Sequence, residues 1–129
     1  MEIIQWNETL SVSNSLIDSQ HKRLVSLINE LHTAMKEGRG KEVLQKILDD
    51  LITYTKEHFA TEEKMMQKAN FPFYNQHKLE HDNLTKKAVE LQSSYRSGNA
   101  PLTLDVMNFL KNWLVNHIMG SDKKYQHKI

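Results

Sequence analysis

Residues 41–69, with the sequence KEVLQKILDDLITYTKEHFATEEKMMQKA, decide the fold class. Their apolar residues recur every three or four positions, which is the period of an α-helix with one buried face. No glycine or proline interrupts the stretch, so we predict one long amphipathic helix. The positions that share its inward face are Val43, Leu44, Ile47, Leu48, Leu51, Thr55, His58, Glu62 and Met65.

Helix-breaking residues cluster in three places and divide the chain into four segments of helical length. These segments cover about residues 18–37, 41–69, 73–96 and 102–119, each with its apolar residues on one face. Alternating apolar and polar runs, which are typical of strands, do not occur in the sequence. Because short connections make consecutive helices antiparallel neighbours, we predict an all-α protein. The expected architecture is an up-down-up-down antiparallel four-helix bundle with an N-terminal arm over roughly residues 1–16.

Composition limits the classes of function. The chain has 129 residues, 39% of them hydrophobic, which suits one domain over residues 1–129. Seventeen basic against sixteen acidic residues give a net charge of +1, so nothing indicates nucleic acid or an anionic membrane as a partner. The absence of cysteine excludes disulfides, thiolate metal sites and a cysteine nucleophile. No leader-like N-terminus or membrane-spanning apolar run is present, so we expect a cytoplasmic protein.

The chain is rich in histidine, and five of its seven histidines combine a predicted inward face with a place near one end of a predicted helix. Unpaired polar groups are costly to bury, so each of these positions needs an explanation. A single inward histidine is usually a hydrogen-bonded core residue, and one pair spaced by four residues is only suggestive. The inward set consists of His21, His58, His77, His81 and His117, together with Glu62 one turn after His58.

The depth of these residues along the bundle favours a metal site. They lie at the start of the first and third helices and at the end of the second and fourth, and these ends coincide in an antiparallel bundle. Facing helix axes are about 8–10 Å apart, which lets such side chains meet. His32 lies about 16 Å further along the first helix and is expected to be a core or rim residue. His127 lies in the polar tail and is expected to be solvated.

The ligand chemistry favours two late first-row metal ions, with iron as the first candidate. Five imidazoles are too many for one tetrahedral zinc, and magnesium and calcium prefer oxygen-rich sites. Asp122 follows His117 by five residues, which would turn it about 140° away on an ideal helix. Gly120 lies between them and could end or rewind the helix, so the spacing alone leaves open whether Asp122 is a ligand or a solvated tail residue.

The order His21, His58-x-x-x-Glu62, His77-x-x-x-His81 and His117-x-x-x-x-Asp122 resembles that of the hemerythrins, particularly the single-domain bacterial ones. The resemblance extends over nearly the whole chain. It implies reversible dioxygen binding, rather than enzymatic activity, at two iron ions joined by an oxo or hydroxo bridge. It gives one iron His77, His81 and His117 and the other His21 and His58, with Glu62 and Asp122 as bridges. The dioxygen pocket implied by the resemblance is lined by Leu24, Phe59, Trp113 and Met119.

Three other interpretations remain open at this point. The same ligands could serve a di-iron peroxidase, an oxidase or an enzyme that reduces nitric oxide. They could also serve a sensor of oxygen or redox state, which would need a separate partner because 129 residues leave no room for a fused signalling module. The third alternative is a metal-free structural bundle. If the protein carries oxygen, an oxygen-consuming enzyme is the candidate recipient.

Overall fold

The computed structural model describes residues 3–98 and 104–125. Four helices account for most of them: α1 (Ser15–Lys36), α2 (Lys41–Lys68), α3 (Tyr74–Arg96) and α4 (Leu104–Gly120). Helix α2 packs between α1 and α3, and α4 packs against α1. No strand occurs in these two ranges, so the predicted all-α four-helix bundle is confirmed. None of the described helices combines the length and apolarity that a membrane crossing requires.

The observed ends of the helices differ from the predicted ones where local capping decides them. Helix α1 begins at Ser15, three residues before the predicted start, because the Asn14 side chain accepts a hydrogen bond from the Ile17 backbone N–H at 3.1 Å. Its C-terminal end is followed by Gly38, whose φ of 71° suits a residue without a Cβ. Asn70 adopts a similar φ of 54° after α2. The predicted start of the fourth helix, near residue 102, lies outside the described residues.

The N-terminal arm lies on the bundle. Its residues Ile4 and Leu10 are 3% exposed and join the main apolar cluster. The backbone of Ile4 exchanges two hydrogen bonds with the Asn29 side chain, at 2.9 and 2.8 Å. The Lys22 ammonium lies 5.3 Å from the centre of the Trp6 ring. These contacts hold the arm along α1.

Two apolar clusters fill the interior, with a polar layer between them. The larger cluster occupies most of the bundle and includes Leu24 of α1 and Phe59 of α2. The smaller cluster closes one end and includes Ile17 of α1 and Met66 of α2. The layer between them lies near one end of the bundle and contains the predicted ligands. Besides Ile17 and Met66, the smaller cluster contains Val12, Phe71 and Tyr125.

Candidate metal centre

The structure brings all seven predicted ligand residues into this one polar layer, and none is more than 4% exposed. Helices α2 and α3 each supply two of them, four residues apart and therefore on one face. Helices α1 and α4 supply one each, and the turn after α4 supplies the last. The seven residues are His21, His58, Glu62, His77, His81, His117 and Asp122.

Asp122 reaches the layer because the chain changes its winding after α4. The helix ends at Gly120, and residues Asp122–Tyr125 form a 3₁₀ helix. The Ser121 backbone N–H donates to the His117 carbonyl at 2.8 Å, which holds the turn close to the last ligand of α4. The Asp122 side chain is consequently fully buried, rather than pointing about 140° away as on a continued helix.

The carboxylate of Glu62 divides its two oxygens between two groups of histidines. Its Oε1 lies 3.1 Å from His21 Nε2 and 2.8 Å from His58 Nε2. Its Oε2 lies 3.0 Å from His81 Nε2 and 3.7 Å from His77 Nε2. One oxygen therefore faces the histidines of α1 and α2, and the other faces those of α3.

Asp122 shows the same division. Its Oδ2 lies 3.0 Å from His21 Nε2, whereas its Oδ1 lies 2.8 Å from His77 Nε2 and 3.1 Å from His117 Nε2. The two carboxylates are therefore shared by two sets of atoms, each compact enough to surround one metal ion. One set comprises Glu62, His77, His81, His117 and Asp122, and the other comprises His21, His58, Glu62 and Asp122.

Several of these atoms are buried without a well-aligned hydrogen bond, which fits a metal site. Within the described ranges, Glu62 Oε2, both Asp122 oxygens and the Nε2 atoms of His58 and His77 make none, although they lie at ion-pair distances from one another. Buried polar atoms of this kind are rare in folded proteins. Nitrogen and oxygen donors aimed at common centres are the set expected for late first-row metal ions.

In the metal-free layer, the pKa values of three of the imidazoles are raised. Burial alone would lower the pKa of His21, but its contacts with Asp122 and Glu62 outweigh burial and raise the pKa to about 9. The pKa of His77 is raised to about 9 by the same balance. For His117, the charge of Asp122 is the main effect opposing burial, and the pKa rises to about 10.

The carboxylates shift in the opposite direction. Burial would raise the pKa of Glu62, but the neighbouring His58 and His21 lower it well below its usual value. Burial and repulsion from Glu62 oppose ionisation of Asp122, yet His117 and His21 hold its pKa low. Tyr125 donates a hydrogen bond to Glu62 Oε1 at 2.9 Å, and burial, followed by the two nearby carboxylates, raises the pKa of its phenol. The phenol therefore stays protonated and serves as a donor.

Three polar residues behind the histidines were not predicted from the sequence. Gln20 Oε1 lies 2.6 Å from His58 Nδ1, Glu63 Oε2 lies 2.8 Å from His81 Nδ1, and Glu80 Oε1 lies 2.7 Å from His117 Nδ1. Each of the three directly precedes or follows a predicted ligand in the chain, which is the signal that could have identified them. Oriented imidazoles are typical of metal sites.

Apolar side chains cover the face of the layer toward the larger cluster. Phe59 stacks on His81 with ring centres 3.8 Å apart and 4° between the ring planes. Leu24 and Trp113 are buried in the same cluster, and the Trp113 indole N–H donates to the Leu84 carbonyl at 3.4 Å. These positions agree with the predicted pocket residues on α1, α2 and α4, but the lining of a ligand pocket stays a prediction.

Met119, the fourth predicted pocket residue, does not lie with the other three. Its side chain is 49% exposed and lies beside Ile3 and Ile4 of the arm at the protein surface. The prediction that it lines the interior is wrong, because each residue turns an α-helix by about 100°. That rotation places the preceding residue, Ile118, in the apolar cluster, where it is fully buried.

The two remaining histidines lie elsewhere or outside the description. His32 is 5% exposed in α1 and does not belong to the seven-residue layer. Burial, followed by the positive charge of Lys36, lowers its pKa, so it is a neutral core histidine. His127 lies outside the described residues.

Comparisons with known proteins agree with this geometry. The family model of the hemerythrin HHE cation binding domain matches residues 12–129. A bacteriohemerythrin of Methylococcus capsulatus is 36% identical over 97% of this chain and 95% of its own length. One from Stenotrophomonas maltophilia is 30% identical over the whole chain and 83% of its own length. A crystal structure of wild-type hemerythrin superposes with a TM-score of 0.92 at 34% identity, covering 98% of this chain and 97% of the other. The chain belongs to the hemerythrin family.

Proposed function

We propose that this protein binds dioxygen reversibly at a non-haem di-iron centre formed by the seven-residue layer. One observation carries the proposal: Glu62 and Asp122 each direct one oxygen toward His21 and the other toward His77. Carboxylates arranged in this way can bridge two metal ions. Membership of the hemerythrin family supports iron as the metal.

The residues allot unequal numbers of ligands to the two positions. His77, His81 and His117 would hold one iron, His21 and His58 would hold the other, and the two carboxylates would be shared by both. With one imidazole fewer, the position held by α1 and α2 would leave one coordination place for a small exogenous ligand. When bound, a pair of iron ions supplies the electrons that make dioxygen binding reversible.

The surrounding side chains exclude water from this position and leave few groups for proton transfer. Leu24, Phe59 and Ile118 are buried and carry no titratable group. The indole N–H of Trp113 is directed to the backbone of Leu84, and the Tyr125 phenol donates to Glu62. This environment suits ligand binding better than turnover of a substrate, so we propose a carrier or storage protein rather than an enzyme. A cytoplasmic location and transfer of oxygen to an oxygen-consuming enzyme stay predictions.

The test is anaerobic loading with Fe(II), followed by iron quantification and repeated exposure to dioxygen and degassing under visible spectroscopy. Two irons per chain and a colour that appears and disappears in step with oxygen are expected. The His77→Leu variant should lose this behaviour. His32→Leu, the same change at a buried histidine outside the layer, should retain it. Steady consumption of peroxide or nitric oxide without reversible colour would favour the enzymes instead, and a chain that takes up no iron would favour a structural bundle.

A further inference from the structure

The polar residues that contact the Nδ1 atoms of the imidazoles follow one repeated pattern around the bundle. In each case the residue next to a ligand in the chain supports a ligand of the following helix, because neighbouring helix positions point about 100° apart. One side chain thus points into the layer while its neighbour reaches across to the next helix. The three pairs are Gln20 with His58, Glu63 with His81, and Glu80 with His117.

Two histidines of the three-histidine group, His81 and His117, are supported by carboxylates. Glu80 accepts from His117 at 2.7 Å, and its second oxygen accepts a hydrogen bond from the Ser121 hydroxyl. Glu63 accepts from His81 at 2.8 Å. Lys78 lies 3.6 Å from the other oxygen of Glu63 and offsets part of its charge. Glu80 is therefore the stronger anionic support of the two.

The two-histidine group has no such charge behind it. His58 is supported by the neutral amide oxygen of Gln20, at 2.6 Å. Nδ1 of His21 is buried and has no hydrogen-bond partner within residues 3–98 and 104–125. In the described part of the chain, the carboxylates that contact the Nδ1 atoms of ligand imidazoles thus lie behind His81 and His117.

We propose that Glu80 and Glu63 make the two metal positions electronically unequal, with the three-histidine position the stronger binder and the one that favours ferric iron. A carboxylate that accepts the Nδ1 proton of an imidazole makes Nε2 a better donor to a metal. A more basic donor stabilises the higher charge of Fe(III) over Fe(II). The inference rests on the proposed di-iron function and names the residues that distribute charge within it.

The electronic difference between the two metal positions also affects the two-histidine position. The iron held by His21 and His58, which has the vacancy for dioxygen, is the one whose donors are not made more basic. It therefore keeps the higher reduction potential and resists permanent oxidation. Gln20 is the residue that maintains this, since a glutamate of the same size would supply the missing charge. Glu63, Glu80 and Gln20 are positioning residues, because each acts through an imidazole.

The experiment measures stepwise binding of Co(II) to the metal-free full-length chain by titration under its visible absorption. Glu80→Gln keeps an acceptor oxygen and removes the charge, and it is expected to weaken one of the two binding steps about ten-fold. Gln20→Glu is expected to strengthen the other binding step, which belongs to the two-histidine position. Glu90→Gln, at an exposed position of the same helix α3, is the matched control and should change neither.

Reduction potentials of the iron-loaded variants provide a second readout. A ten-fold change in the preference for Fe(III) corresponds to about 59 mV for a one-electron couple. Both variants should reduce the difference between the Fe(III)/Fe(II) reduction potentials of the two positions. Glu80→Gln should raise the potential of the three-histidine position, and Gln20→Glu should lower that of the two-histidine position. Gln20→Glu also covers the case in which Glu80→Gln does not fold, because a loss of stability does not strengthen metal binding.

Two outcomes would overturn the inference: a Glu80→Gln variant that matches Glu90→Gln, or a Gln20→Glu variant that weakens binding. These outcomes are separate from the test of the function. If the chain binds two metal ions and the variants behave as expected, but oxygen does not bind reversibly, the proposed function fails and the inequality stands. Fewer than two Co(II) ions per wild-type chain would contradict both proposals.

Discussion

Raising the pH from about 6 to about 9 is expected to destabilise the metal-free protein. In that form the pKa of His21 is raised from 6.5 to about 9 by the buried carboxylates Asp122 and Glu62. The folded chain then binds more protons than the unfolded chain in this interval, and stability falls with pH wherever that is so. The contribution is fully present below the unfolded pKa of 6.5 and is lost as the pH rises through about 9.

The expected size of the loss is a few kcal/mol. A pKa raised from 6.5 to about 9 corresponds to ~3 kcal/mol for a single imidazole. The pKa values of His77 and His117 are raised as well, but the same two carboxylates serve all three histidines. Their contributions are therefore not additive, and we take ~3 kcal/mol as the scale. Against a total stability of about 5–15 kcal/mol, that is a large share.

Urea unfolding of the chelator-treated protein at the two pH values measures this difference. The metal-loaded protein should respond in the opposite direction, since metal binds only neutral imidazoles and its affinity rises with pH. The two stability curves should therefore diverge as the pH increases. A Glu62→Gln variant should show a smaller pH dependence in the metal-free form, because one of the two charges is gone. A metal-free wild-type protein that is equally stable at both pH values would refute the reasoning.

Three further changes test other parts of the structure. His77→Leu should remove one metal position and also destabilise the metal-free protein by a few kcal/mol near pH 6, because the buried carboxylates of Asp122 and Glu62 lose one of the imidazoles that balance their charge; metal quantification and thermal unfolding measure the two effects. Lys123→Met should cost about 2 kcal/mol in urea unfolding, since the Lys123 ammonium donates to the Ser11 carbonyl, whereas the exposed neighbour Lys124→Met should cost little. Phe59→Ala should cost about 3–5 kcal/mol and, by admitting water, hasten irreversible bleaching of the oxygen-loaded protein; bleaching as slow as in the wild type would contradict its proposed shielding role.

Periodicity and helix order were sufficient to predict most of the candidate site. Six of the seven residues follow from two facts: which helix face each occupies, and which end of the bundle each lies near. Neither the face nor the end of the bundle changes when a helix end is predicted a few residues wrong, as at the early start of α1 at Ser15. The prediction was strong where several helices had to agree.

Periodicity failed where one residue of rotation mattered. Asp122 enters the layer only because the chain leaves the α-helical path after Gly120, and no pattern of apolar residues encodes that change. The resemblance, rather than periodicity, placed Met119 in the pocket, and there too a single step along α4 decides, since the buried residue is Ile118. Its place next to His81 in the chain marks Glu80 as a candidate support, but periodicity could not show that it contacts His117, since that contact joins two helices.

The polar layer has an apolar cluster on either side, and this arrangement predicts when a metal ion can enter. Because a hydrated cation is costly to move through either cluster, we expect it to reach the ligands while the end of the bundle is open. The short segment Asp122–Tyr125 completes both the layer and the smaller cluster, through Asp122 and Tyr125. We expect docking of this segment to close the site over a bound ion. Exchange of iron should then follow local opening of this segment, whereas a small uncharged gas needs no such opening.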